Sequence, residues 1–195
     1  MPLITLSEII DLIAMTVFVG YVFSDMIPVR RENYDPLLHY KRSFDFEGLK
    51  FAIIATAPAI ILHELAHKFV AISFGLNAVF FAFYRQTFTL ILGALTILSK
   101  LTGFGLMLFV PGYVGISGTG TSLQYALAAL AGPLVNLALW IGAWFMLKKR
   151  LHGKKHYLLL VLTSRINMFL FIFNMLPIPG FDGYNFLAHL IKIFI

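Results

Sequence analysis

Cysteine is missing from all 195 residues, which excludes disulfides, thiol nucleophiles and thiolate metal ligands; any metal must be held by His, Asp or Glu. Charge is scarce too. Asp, Glu, Lys and Arg make up 12% of the chain, against roughly 25% in a soluble domain. With 59% hydrophobic residues, this composition excludes a soluble globular protein and points to an integral, multi-pass membrane protein, with the cell membrane as its expected location. At about 20 residues per span, the length accommodates five or six helices and no separate soluble domain. The expectation is therefore an all-α polytopic protein forming one membrane-embedded domain over residues 1–195. A basic n-region is also lacking at the start: Glu8 and Asp11 stand where a signal peptide would carry Lys or Arg, so the first apolar stretch reads as a retained helix. The net charge of +6 does not imply nucleic acid, because the basic residues gather at span ends such as "KKRLHGKK" (148–155), where topology and anionic lipid account for them.

What is present falls into apolar runs. Spans are expected over about 9–26, 49–74, 123–147 and 157–176, with Pro58 a kink inside the second. The polar loop that follows the first span lies outside the bilayer. Residues 88–110 are apolar but interrupted by Lys100, Thr102, Gly103 and Gly105, which suits one irregular span or a helix followed by a re-entrant piece. "PGYVGISGTGTS" (111–122) mixes glycine with β-branched residues and favours extended backbone. At membrane depth such backbone is tolerated only against protein or a water-filled cavity, so it is expected to line a site. The tail, 184–195, is short and polar at its start, which suits an interfacial helix as well as a span.

Inside the second span stands "IILHELAHKF" (60–69). A charge at the centre of a membrane helix costs about 2.5–3.5 kcal/mol on insertion scales, so such residues have a partner or a task. On a helix His63 and His67 share a face and can converge on one ion, while Glu64, one position on, can act as a general base toward water at that ion. This is the HExxH pattern of zinc hydrolases. Lys68 reads as structural, its stem snorkelling toward an interface or polar cavity.

A catalytic zinc usually takes three protein ligands. No glutamate follows Glu64, and Val70 and Ser73 occupy positions where an extended three-histidine motif needs Gly and His. Beyond Glu64 the sole acidic residue is Asp182, within "NMLPIPGFDGYN" (174–185), which makes it the leading third ligand. His189 is its competitor. Pro177 and Pro179 break the helix before Asp182, and Gly180 and Gly183 relax the backbone around it. In "AGPLVN" (131–136), Gly132 and Pro133 permit close helix approach, and Asn136 is either a donor to an oxyanion or an interhelical structural hydrogen bond. Arg165, in the middle of a span, has no identifiable partner; snorkelling or an internal salt bridge is expected.

"HELAH" in a span, "AGPLVN" opening a later one and "NMLPIPGFDG" closing another resemble the three signature elements of the site-2 protease family of intramembrane zinc metalloproteases. "VPGYVGIS" (110–117) resembles that family's glycine-rich extended segment. The similarity covers about residues 50–185, which marks the catalytic core. It implies one catalytic zinc ion held by His63, His67 and Asp182, with Glu64 activating water and Asn136 near the reacting carbonyl. It also implies cleavage of peptide bonds within or beside the transmembrane segments of other membrane proteins. Phe181 stands where the family usually has Leu, and no counterpart of its PDZ or CBS domains is expected. The alternative is a transporter or metal-permeation protein using the His and Asp cluster as an ion path. It leaves Glu64 without a role, and the repeated halves common in transporters are lacking.

Overall fold

The computed structural model describes residues 4–24, 46–103, 112–153 and 156–195. Six α-helices and two short strands follow one another: α1 (Leu6–Phe23), α2 (Phe46–Ser73), β1 (Asn77–Ala82), α3 (Thr87–Thr102), β2 (Gly112–Ser117), α4 (Ser122–Lys148), α5 (Tyr157–Asn174) and α6 (Asp182–Phe194). Most of the polar loop after the first span and the end of the apolar stretch near 110 lie outside the described residues.

Among the described residues four helices are long and apolar enough to cross a bilayer: α1, Gly48–Ser73 of α2, α4 and α5. Helix α3 is apolar but only 16 residues long. The 13 residues of α6 span only about 20 Å, short of a hydrocarbon core of about 30 Å. Large apolar side chains such as Ile13, Leu95, Leu134 and Ile172 face outward. In water that surface would aggregate; in lipid it is the solvated face. The molecule is thus a helical membrane protein, mostly all-α, as its composition implies.

Local chemistry sets the element ends. Helix α1 begins at Leu6, earlier than apolar periodicity alone suggests, because Thr5 and Glu8 form a reciprocal capping box. Thr121 and Gln124 do the same for α4. Helix α2 runs unbroken through Pro58 and stops at Gly75, whose φ of 76° allows a closing turn. Gly75 N–H donates to Ile72 O at 2.8 Å and Leu76 N–H to Ala71 O at 3.0 Å.

That turn launches β1, a strand absent from the sequence reading, although "NAVFFA" has the β-branched and aromatic residues that strands favour. It pairs antiparallel with β2, Phe80 opposite Val114, and β2 is the extended segment expected from the glycine-rich run. Ala78, Phe80 and Ala82 alternate inward. Phe80 and Ala82 pack with Met15, Phe18, Val19 and Val22 of α1 and Ile60 of α2. Alanines let α2 approach its neighbours closely: Ala52, Ala55 and Ala59 receive Leu162, Ile166 and Leu170 of α5, and Ala71 meets Ala128 of α4.

Two ion pairs, one of them fully buried, tie α1 to this frame. Lys68 is buried and salt-bridged to the equally buried Glu8, so it is paired within the protein rather than snorkelling to an interface. Glu8 also accepts the Phe80 N–H at 3.0 Å, and Asp11, one turn on, accepts from Tyr84 O–H and from Arg85 Nε at 3.2 Å. Two carboxylates on one face of α1 thereby fix the outer side of β1 and the turn after it.

Candidate metal centre

His63 and His67 lie one turn apart on α2, both buried. Their Nε2 atoms are 3.0 Å from each other, and Asp182 Oδ2 is 3.1 Å from the first and 3.3 Å from the second. A tetrahedral ion with bonds of about 2.0–2.1 Å separates its ligands by about 3.3 Å, so this triangle has the dimensions of three zinc ligands. The three residues are the group of His, Asp and Glu side chains that could hold a metal ion among the described residues.

Asp182 arrives there because the Pro177–Pro179 break ends α5 and lets α6 restart with the aspartate in its first turn, where the positive helix end favours a carboxylate. Gly183 is required at that bend: a Cβ on it would stand 2.4 Å from Met175 O. Burial by itself would raise the Asp182 carboxyl, but the adjacent imidazoles, His67 foremost, hold it below the ordinary carboxylate range. His189 is not brought into the triangle. Two turns along α6, about 10 Å from Asp182, its ring stacks on Tyr125 with centroids 5.0 Å apart.

The groups behind the histidines fit a metal as well. His67 Nδ1 lies 2.7 Å from Ala128 O, so Nδ1 carries the proton and donates, leaving the Nε2 lone pair free. Behind His63, the fully buried Asn136 places Nδ2 3.0 Å from Nδ1 while its Oδ1 has no partner. A half-turn of that amide lets the orphaned Oδ1 accept the His63 Nδ1–H, after which both imidazoles present unprotonated Nε2 atoms to one point. Asn136 thus touches His63 on the ring edge away from the triangle.

Gly132, on α4, faces the triangle directly. A Cβ there would lie 2.3 Å from His67 Nε2 and 2.7 Å from His63 Nε2. Its role exceeds the close helix approach expected of it: the missing side chain is the space an ion would fill. Sequence reasoning had the residue and not the reason, because nothing in "AGPLVN" says which helix lies opposite.

His63, His67, Asn136 and Asp182 open on a cavity of about 540 Å³, which Gly112, Val114 and Ile116 of β2 line from one side and Tyr125, Asn185 and His189 from another. Glu64 is buried, lines the same cavity, and also borders a small pocket beside Glu8 and Lys68. The arrangement can hold a divalent ion on three side chains, keep a carboxylate beside it, and admit an extended chain along β2.

Comparison with known proteins gives two relatives. "Putative zinc metalloprotease MJ0611" of Methanocaldococcus jannaschii is 34% identical over 177 residues, covering 90% of this chain and 81% of that protein. "Putative zinc metalloprotease YwhC" of Bacillus subtilis is 27% identical over 179 residues, covering 80% of this chain and 74% of that protein. No family model matches the chain. No solved structure matches it.

Proposed function

Because the chain belongs to the family of zinc metalloproteases that includes the Methanocaldococcus jannaschii protein, we propose that it is an intramembrane zinc endopeptidase of the site-2 protease type, a multi-pass protein of the cell membrane. In this reading it cleaves peptide bonds within or beside the transmembrane segments of other membrane proteins, and residues of about 50–185 form the catalytic core of one membrane-embedded domain. The observation that carries it is the meeting of His63, His67 and Asp182, with Glu64 on the same cavity wall, among helices long enough to span a bilayer.

His63, His67 and Asp182 would hold the ion. A zinc ion held there would supply a Lewis acid toward the peptide carbonyl and a water. Glu64, of the HExxH motif, would take the proton from an attacking water as its oxygen adds to the carbonyl carbon, then return it to the nitrogen as the C–N bond breaks. Asn136 acts from behind His63, holding the imidazole in the tautomer that leaves Nε2 free. The same geometry favours this positioning role over a direct contact with an oxyanion.

A substrate helix hides its carbonyls in internal hydrogen bonds, so it must unwind before attack. The small sheet offers replacement bonds. Phe80 directs its N–H at Glu8 and away from β2, so at the Phe80–Val114 pair neither residue bonds the other, and Gly112, Val114 and Ile116 turn their N–H and C=O groups away from β1. That free edge lines the cavity, and an extended substrate can add to it as a third strand. Glu8 occupies the opposite edge.

The transport alternative has no supporting observation, since an ion path does not call for the additional carboxylate at Glu64. The test is cleavage of a membrane substrate by purified protein in lipid vesicles. Wild type should cut it. Glu64→Gln should retain near-stoichiometric zinc and lose cleavage by several orders of magnitude, because it removes the base and spares the ligands. Undiminished cleavage by that variant would refute the mechanism.

A further inference from the structure

Arg165 is the ninth of the 18 residues of α5 and is exposed. Its neighbours Leu162, Ile166 and Leu170 are buried against the alanines of α2, so the arginine lies off that packed face; Met168 and Ile172, three and seven residues on, are exposed like it. Among the described residues its guanidinium has no hydrogen-bond or ion-pair partner. A permanent cation thus stands at mid-span on a face otherwise made for lipid.

Snorkelling does not relieve it. Eight residues precede it in the helix and nine follow, so either end is about 12 Å or more away along the axis, beyond the reach of an extended side chain. Lipid phosphates stay at those ends. A second copy of the chain is no better: within the four long apolar helices the carboxylates are Glu8, Asp11 and Glu64, all buried, the first two in ion pairs, and Asp182 sits in the metal cluster. Among the described residues no carboxylate is free at the right depth, which points to one supplied by a different protein.

We propose that Arg165 is the docking point for a transmembrane helix of a partner protein that carries an Asp or Glu near its middle. The contact is a charge-assisted, bidentate pair between guanidinium and carboxylate, formed where no water competes. It lies apart from the reaction cavity, whose α5 contributors are Leu170 and Asn174; Asn174 is about 13 Å further along the helix. The partner therefore attaches to the outer wall of the bundle and leaves the cavity open. This inference stands on the exposed arginine and does not depend on what the cavity catalyses.

The experiment uses the full chain in vesicles of phosphatidylcholine with a minor share of phosphatidylglycerol. The absence of cysteine allows one to be introduced at the exposed Gly153 for a fluorescent dye. The probe is a designed single-span Leu/Ala peptide with one central Glu and an acceptor dye, compared with the same peptide carrying Gln, and association is read by energy transfer. Wild type should bind the Glu peptide at least fivefold more tightly than the Gln peptide. Arg165→Leu and Arg165→Gln should abolish that preference, Arg165→Lys should keep part of it, and Arg165→Glu should shift it to a central-Lys peptide. Equal binding of the Glu and Gln peptides to wild type overturns the proposal without recourse to any variant. So does a preference that survives in Arg165→Leu, or an Arg165-dependent enrichment of phosphatidylglycerol around the protein with no peptide preference.

Discussion

Replacing Gly132 by alanine adds one methyl group, and the structure places it against both histidines of the candidate metal cluster. The new Cβ would stand 2.3 Å from His67 Nε2, 2.7 Å from His63 Nε2 and 2.8 Å from His63 Cδ2. Ordinary contact is about 3.5–4 Å, so both rings must retreat by about 1 Å or α4 must move. The helix is poorly placed to yield, because Ala128, Ala131, Pro133 and Asn136 around Gly132 are all buried. Ligand bonds tolerate about 0.2 Å. Disturbing a group behind a ligand already costs about 10–100-fold in metal affinity, and here two ligands move, so Gly132→Ala should weaken zinc binding by at least about 100-fold, or about 2.7 kcal/mol. Gly142→Ala is the control: it lies on the same helix, and its Cβ meets nothing within 4 Å. Alanine is also the better helix former by about 0.5–1 kcal/mol, so unwinding of α4 cannot be the cause of a loss. Zinc is measured by elemental analysis after equilibration in chelator-buffered metal, alongside cleavage. Wild-type zinc affinity in Gly132→Ala would refute the reasoning about where the ion sits.

Asp182→Asn should keep the fold but lose most bound zinc and all cleavage, whereas His189→Ala should keep the metal; zinc content of the two purified variants decides, and the reverse pattern would reassign the third ligand. Lys68→Met leaves the Glu8 carboxylate buried without its cation, at a cost of about 3–5 kcal/mol, and adding Glu8→Gln should recover much of it. Thermal unfolding of both variants checks this, and a double variant no more stable than Lys68→Met would show that the pair is not coupled. A substrate segment with helix-weakening residues near the scissile bond should be cut faster than one rebuilt from Leu and Ala; equal rates in one vesicle assay would mean that unwinding is not limiting.

The sequence by itself determined the solvent, the helices and much of the chemistry of the site. Long apolar runs with few charges can bury their backbone in lipid only as helices, so α1, α2, α4 and α5 were legible from composition and length. The i, i+4 spacing of His63 and His67 fixes their common face whatever surrounds it. Asp182 could be singled out because the chain offers no other carboxylate after Glu64. Strand β1 escaped because "NAVFFA" is as apolar as the spans around it, and apolarity alone does not separate a short buried strand from a helix end.

Only the tertiary structure decided the rest, and in each case because the deciding partner is remote in the chain. Asp182 and His189 lie on the same tail helix; the bend at Gly183 against Met175 sends the first to the histidines, while the second stacks on Tyr125. Lys68 looked like a snorkelling side chain until α1 brought Glu8, sixty residues away, against it. Gly132 could be any small residue at a helix crossing, and it becomes the floor of the candidate metal site because α4 crosses α2 at the level of His63 and His67. Residue types and local spacing announce which chemistry a chain carries, but which groups meet is set by packing between elements, and no local pattern encodes that.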